Sequence, residues 1–426
     1  MITAAQAFLD QFDHDQSRLP GATLPWLRHA RGVARDRFAR QGLPTPHLES
    51  WKYTPLRLPV FVHAADVPQV IPSPGQPPVQ SPEAYACRFI NGGLVSWPND
   101  LPDGVTIAAL STHPELAASS LQRDDVRAMA ALNGALWRDG LIIRLEPGVV
   151  LATPITLTFV TLPGFTAVAW HLRLVIELGD GAKATVVEHH IGQHGSGSAA
   201  TLANSVADIT LGSGAILRHY QSQHAPETAW HIASSTVRVG DCASYEGFLL
   251  SCGAGMARDD VQVSLDGGDA TCRLAGVTML RGHRHSDATL AVDHHFARGT
   301  SRQVFKSVID DDGHAVFQGR IVVHPGAIKT DGQQMSRALL LSERAAIDAK
   351  PELEIHADDV KCGHGSTVGA LDDDALFYLR ARGIKLEAAR ALLIEAFLAD
   401  ALEEISDATV RDQFLAQITH WLADRS

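Results

Sequence analysis

Cysteine is scarce and scattered. The chain of 426 residues holds five (Cys87, Cys242, Cys252, Cys272 and Cys362), an odd number with no C-x-x-C pair. That makes a poor disulfide framework and a poor structural zinc site. Long apolar runs are missing too, since none nears the roughly 18 residues that a membrane-spanning helix needs. Asp10, Asp13 and Asp15 stand where a secretory leader would carry its apolar stretch. The expected setting is therefore a reducing cytoplasm. No Lys/Arg-rich run occurs and the net charge is −12, which argues against nucleic acid or an anionic membrane as partner. A Gly-x-Ser-x-Gly elbow, a P-loop and a Gly-x-Gly-x-x-Gly fingerprint are all absent, against hydrolase, ATPase and dinucleotide-binding readings.

What is present is ordinary for a globular protein: 45% apolar and 20% charged residues. Three zones are predicted. The first, 1–82, has two helical patterns and a linker. Thr3 can cap a short helix whose Phe8, Leu9 and Phe12 share a face. A second runs from Pro25 to Gln41, with Trp26, Leu27, Ala30, Val33, Ala34 and Phe38 at helical spacing, and Gly42 and Pro44 stop it. Residues 67–82, rich in Pro, Gln and Ser, read as the linker.

The middle zone, 83–367, shows one short helical stretch near 123–137 and otherwise brief alternating strands that end in Gly/Asp turns. Ile176-Glu177-Leu178-Gly179-Asp180-Gly181-Ala182 is echoed at 209–215, at 237–243 and more loosely at 263–270, so that Ala182, Ala215, Ala243 and Ala270 align. A repeat of roughly thirty residues built of strands and Gly turns predicts a β-solenoid. A β-sandwich is the alternative, because turns of this kind recur there as well.

The third zone, 368–426, is helical. Asp372 and Asp373 cap one helix that Gly383 ends, and a second begins near Lys385. Val410, Phe414, Ile418 and Trp421 form the stripe of a third. The second helix is apolar on nearly every side, so it is buried on more than one face. Its Leu392, Leu393, Phe397 and Leu398 exceed what one face can use. They are expected either to pack on the end of the solenoid or to receive a partner.

The sharpest chemical feature is Asp358-Asp359-Val360-Lys361-Cys362-Gly363-His364-Gly365. Residues two apart on an extended segment face one side, so Cys362 and His364 can present sulfur and imidazole together to iron or zinc. Lys361 is expected to favour the thiolate, and the flanking glycines to leave the pair open to approach. Two ligands cannot hold a cluster, so the rest must come from elsewhere. Read bare, the pair is also compatible with a half-buried cysteine beside a capping histidine. Of the 21 histidines, His283 and His285 are the other apt pair, whereas His189-His190 and His294-His295 face opposite ways. Asp310-Asp311-Asp312-Gly313 reads as a solvated turn rather than a calcium loop. Cys242, Cys252 and Cys272 read as small buried hydrophobes.

The segment from Gly299 to Ile384 resembles the SufB/SufD family of iron–sulfur cluster assembly scaffolds, in its SufD branch. The residues that carry the resemblance are Gly299-Thr300-Ser301-Arg302-Gln303, Lys329-Thr330-Asp331, Lys350-Pro351-Glu352-Leu353-Glu354-Ile355, the segment 358–365, and Leu376-Phe377-Tyr378-Leu379-Arg380-Ala381-Arg382-Gly383-Ile384. Nearer the start, Leu43-Pro44-Thr45 and Glu49-Ser50-Trp51-Lys52-Tyr53-Thr54 match as well. His364-Gly365-Ser366 lacks the acidic residue that the SufB branch carries after its histidine.

The resemblance implies a mainly β protein with a right-handed parallel β-helix core between N-terminal and C-terminal helical regions. It implies a non-catalytic scaffold of the SufBCD complex that pairs with SufB as a heterodimer and docks the SufC ATPase on its C-terminal helices. Cysteine desulfurase and sulfur-transfer proteins would act indirectly. Cys362 and His364 would be cofactor-binding and metal-binding residues of a transient iron–sulfur cluster at the SufB junction, and Leu392, Leu393, Phe397 and Leu398 partner-binding residues. Flavin on the complex and a homodimer of the isolated chain stay open. The alternatives are a SufB-like cluster-holding paralogue and, in another class, a β-helix polysaccharide-active enzyme.

Overall fold

The glycine turns are the corners of a coil. A computed structural model describes residues 3–63, 85–123, 125–162, 164–192 and 199–423. In it Gly181 and Gly214 take φ of 68° and 65°, and Cys242 and Asp269 hold the same left-handed conformation at 55° in the next two repeats. Glycine adopts that region freely and other residues pay for it. Each corner N–H donates to a carbonyl one coil onward: Gly181 to Ser213, Gly214 to Asp241, Cys242 to Gly268 and Asp269 to Ala297. The stacked corners explain the alanines that follow. Ala182, Ala215, Ala243 and Ala270 are all fully buried, where a larger side chain would meet the neighbouring coil.

Between corners the chain alternates between two sheets, each ten-stranded among the described residues. One runs from Val105–Ala109 and Asp139–Leu145 through Val168–Leu178, Thr201–Leu211, Ala229–Val239, Met256–Leu265, His285–His294 and His314–Val323 to Ala346–Ile355. The other leads from Tyr85–Ile90 through Ile155–Thr161, Lys183–Gly192, Ile216–His224, Ser244–Ser251, Thr271–Leu280, Thr300–Ile309 and Asp331–Leu340 to Lys361–Gly369. From residue 155 onward every named pairing is parallel. That excludes the sandwich and makes the protein a mainly β solenoid flanked by helices. Parallel register stacks like on like. Ile176, Ile209, Val237, Val263, Val292 and Ile321 stand one above another, all buried in the interior. Each such side chain contributes about 1.5–3 kcal/mol of burial.

The N-terminal helices cover one flank. In α1 (Ala4–Asp15) the Thr3 hydroxyl accepts the Gln6 N–H, and Phe8 and Phe12 are buried. In α2 (Pro25–Gln41), which ends at Gly42, the buried residues are Leu27, Arg31 and Phe38, while Val33 stays exposed. The stretch near 123–137 yields α4 (Ala128–Leu136), preceded by a short α3 (Ala118–Leu121). The predicted linker at 67–82 lies outside the described residues. The Glu49–Thr54 motif is a strap across the outer face of the first sheet. Trp51 lies 4.2 Å over the Arg258 guanidinium, and the Thr54 hydroxyl donates to Asp287.

Helices α6 (Leu386–Leu402) and α7 (Ala408–Ala423) cover the second sheet, and α5 (Asp373–Ala381) packs on α6. Asp372 caps α5 by accepting the N–H groups of Asp374 and Ala375. Ile394 and Leu398 of α6 and Val410, Phe414 and Ile418 of α7 share a core with Val187, Tyr220, Phe248, Leu250 and Val277. The apolar excess of α6 thus packs on the flank of the solenoid rather than its end. Leu422, not Trp421, completes the α7 stripe, because it stands four residues beyond Ile418. Trp421 lies instead over Arg281 at 3.5 Å. Among the described residues no helix is long and apolar enough to cross a membrane.

Candidate functional site

Both sheets stop abruptly at their C-terminal ends. Ala346–Ile355 and Lys361–Gly369 are the last strands in their sheets, and each leaves a row of backbone donors and acceptors without a strand beside it. Their residues are half-buried or exposed where the preceding strands alternate buried and exposed. The interior of the solenoid is open here.

Cys362 and His364 lie on this final strand. Cys362 pairs in register with Gly332, and His364 with Gln334. Gly332 and Gln334 are buried, inward positions, so the side that the two residues share by their spacing is the one toward the interior. Cys362 is half-buried against Ile321, Val323 and Ala327, and His364 is exposed. Cys362 Sγ packs beside Gly332, where a Cβ would stand 3.4 Å from it, an ordinary contact distance.

One expectation about this segment needs correction. Lys361 does not favour the thiolate. Burial pushes the Cys362 thiol up, the Asp331 carboxylate adds to that, and a backbone hydrogen bond from Gly332 only partly opposes it. Lys361 belongs to the other face of the strand. A Cβ on Gly365 would stand 2.9 Å from the Met335 methyl carbon, the movable end of that side chain.

Among the described residues, no three His, Cys, Asp or Glu side chains are grouped to hold a metal ion. His283 and His285 do not converge. His283 is exposed 3.8 Å from Asp312, while His285 is largely buried with Nε2 at 3.0 Å from the Thr54 hydroxyl. His189 meets Ser222 and His190 meets Glu188. His294 is buried against Ser301, and His295 stacks on His324 with ring centroids 4.1 Å apart. The acidic turn is ion-paired through Asp312 and Arg344. Cys252 and Cys272 are buried as expected, but Cys242 is exposed at its left-handed corner.

Of the residues expected to meet a partner, Leu398 is fully buried in the chain's own core, Leu393 and Phe397 are half-buried, and Leu392 is exposed. Phe377 and Tyr378 are also exposed, on α5, none of whose residues is buried. Sequence reasoning missed a polar network inside the solenoid. Glu188 accepts hydrogen bonds from His190 at 3.0 Å and His219 at 2.6 Å, and the other ring nitrogen of His219 lies 3.1 Å from the Tyr245 hydroxyl.

Comparison with known proteins matches these features to one family. Residues 162–397 match the family model described as SUF system FeS cluster assembly, SufBD core domain. Residues 2–157 match the SufBD protein N-terminal region. The chain belongs to the SufBD family. It is similar to the iron–sulfur cluster assembly protein SufD of Escherichia coli, 32% identical over 90% of each chain. It is also similar to an iron–sulfur cluster assembly SufBD family protein of Synechocystis, at 30% identity over 93% of this chain and 91% of the relative. The family is one of iron–sulfur cluster assembly, and the core match spans the open end with both Cys362 and His364.

Proposed function

We propose that the chain is a cytoplasmic scaffold subunit with no turnover of its own, pairing with SufB through the free strand edges at the open end of the solenoid. Cys362 and His364 offer sulfur and imidazole to a transient iron–sulfur cluster, which is cargo, and SufB supplies the remaining ligands. The observation that carries this reading is the position of the pair, inward-facing on a terminal strand with no further coil above it. A strand edge left open in this way suits addition of a partner strand. A protonated thiol must lose its proton to ligate, so uptake of iron at Cys362 releases one.

The SufC ATPase docks on the C-terminal helices in this proposal, through Leu392 and Leu393 of α6 together with Phe377 and Tyr378 of α5. Phe397 borders that surface, and Leu398 supports it from within.

The test is co-purification with SufB and SufC, anaerobic reconstitution, and measurement of iron and acid-labile sulfide per complex. Cys362→Ala and His364→Ala should each lower both contents while the subunit ratio holds. Unchanged iron and sulfide in both variants would defeat the cluster role, and loss of the complex would assign the residues to the interface instead.

A further inference from the structure

Directly beneath His364, the interior holds two glutamines where its aliphatic lining would lead one to expect leucine or valine. Gln334 pairs in register with His364, and Gln303 with Gln334, so the three stand one above another on parallel strands. One coil deeper, in register with Gln303, the same position is Leu274. Gln334 is 3% exposed and Gln303 is 1% exposed. Neither the oxygen nor the nitrogen of either amide has a hydrogen-bond partner. Four unsatisfied polar atoms in one small interior region are costly and unusual.

The opposite wall is shaped to admit the upper amide. A Cβ on Gly319 would stand 1.5 Å from Gln334 Nε2, so any other residue at 319 would expel the side chain from its present place. Gly319 lies in the first sheet, on His314–Val323. Gln334 therefore reaches across the interior immediately under the open end.

In-register carboxamides on parallel strands are spaced about 4.8 Å apart, the separation at which amide ladders form. We propose that Gln334 is a positioning residue for His364. Its Oε1 accepts the ring N–H of His364 when the other ring nitrogen ligates iron, and its Nε2 donates to Gln303 Oε1 below. A histidine that ligates metal almost always donates its second N–H to such an acceptor, which fixes ring orientation and tautomer. This assignment rests on the reading that His364 ligates iron, and it gives the unpaired amides a partner that arrives with the cargo.

The experiment titrates Fe(II) anaerobically into the full-length chain in complex with SufB, with metal content and His364 ring-nitrogen NMR as readouts. Gln334→Leu should weaken iron binding about 10- to 100-fold and leave the ring distributed between tautomers. Gln334→Glu, which keeps an acceptor at the same reach, should recover most of the affinity. If leucine is not tolerated in the interior, the unbranched Gln334→Met variant gives the same comparison. Unaltered affinity and tautomer in Gln334→Leu or Gln334→Met, with His364→Ala still impaired, would overturn the positioning role alone. Unaltered affinity in both Cys362→Ala and His364→Ala would overturn the ligand reading beneath it.

Discussion

Lys306 Nζ lies 2.7 Å from Asp400 Oδ2 and joins the solenoid wall to helix α6. The amine is almost wholly buried, while the carboxylate faces solvent. Lys306 also donates to the Phe397 carbonyl and sits 4.7 Å from the Phe397 ring centroid. Phe397 stands five residues before Leu402, the end of α6, so Lys306 grips the helix within its length through a carbonyl, a carboxylate and a ring face. The strand that carries Lys306 is two strands from Cys362 in the same sheet, so one side chain links the proposed ATPase-docking helix to the terminal coils.

Replacing Lys306 with methionine keeps the stem and removes the charge. Asp400 is exposed enough to be rehydrated, so the fold should survive with a loss of about 1–3 kcal/mol. Urea unfolding reads the loss, and limited proteolysis should cut sooner near residues 403–407, where α6 meets α7. Wild-type behaviour in both measurements would show that α6 is held by its apolar face alone.

The strap predicts a larger effect. Arg258 and Asp287 form an ion pair in which both side chains are fully buried, roofed by Trp51 and completed by the Thr54 hydroxyl. Arg258→Met leaves the Asp287 carboxylate without its counter-charge and should cost about 3–5 kcal/mol. Adding Asp287→Leu should restore much of that, because the double variant buries no charge. A double variant as unstable as the single one would place the cost in lost packing against Trp51 instead.

How far such features can be read from sequence depends on whether the signal is local. The corner glycines, the Thr3 and Asp372 caps and the bounds of α2 are legible because each is decided within a few neighbouring residues. The side-by-side placement of Cys362 and His364 is legible for the same reason, since alternation fixes it. Their position on the last coil is not, because an open end is defined by what fails to pack above it. The state of the Cys362 thiol was misread from Lys361, a neighbour in sequence but not in space, whereas Asp331 acts from the adjacent coil. The interior network of Glu188, His190 and His219 leaves no sequence signal. Alternating polar residues on a strand look like an outward face until the coil closes around them.

The C-terminal helices separate docking from folding. Removing everything after Leu371 would strip Val187, Tyr220, Phe248, Leu250 and Val277 of the helix residues that cover them, so truncation cannot isolate an interface. Leu392 is half exposed, whereas Leu398 is fully buried. Leu392→Asp should therefore abolish SufC co-purification with little change in melting temperature. Leu398→Ala should cost about 2–5 kcal/mol of stability through the cavity it leaves. Normal SufC binding by Leu392→Asp, and by Phe377→Asp as well, would move the ATPase interface off this surface.

Buried histidines set the response to acid. Burial lowers His63 to about 2, His171 and His231 to about 3, and His189, His285 and His294 to about 4. Each imidazole stays neutral in the fold yet titrates near 6.5 once unfolded. The unfolded chain therefore binds more protons at mildly acid pH. The stability these residues contribute is complete above pH 6.5 and is lost as the pH falls toward 4. Asp259 acts in the opposite sense. Burial, with Asp287 and Glu188 nearby, raises its carboxyl to about 7, so its contribution is present at low pH and lost as the pH rises through 7. Six depressed imidazoles outweigh one raised carboxyl. Between pH 7.5 and pH 5 the net effect should be a loss of stability. Thermal melts across that range should show the melting temperature falling steadily with pH. A flat or rising melting temperature on acidification would mean that these histidines take up protons in the folded state, and that solvent reaches them.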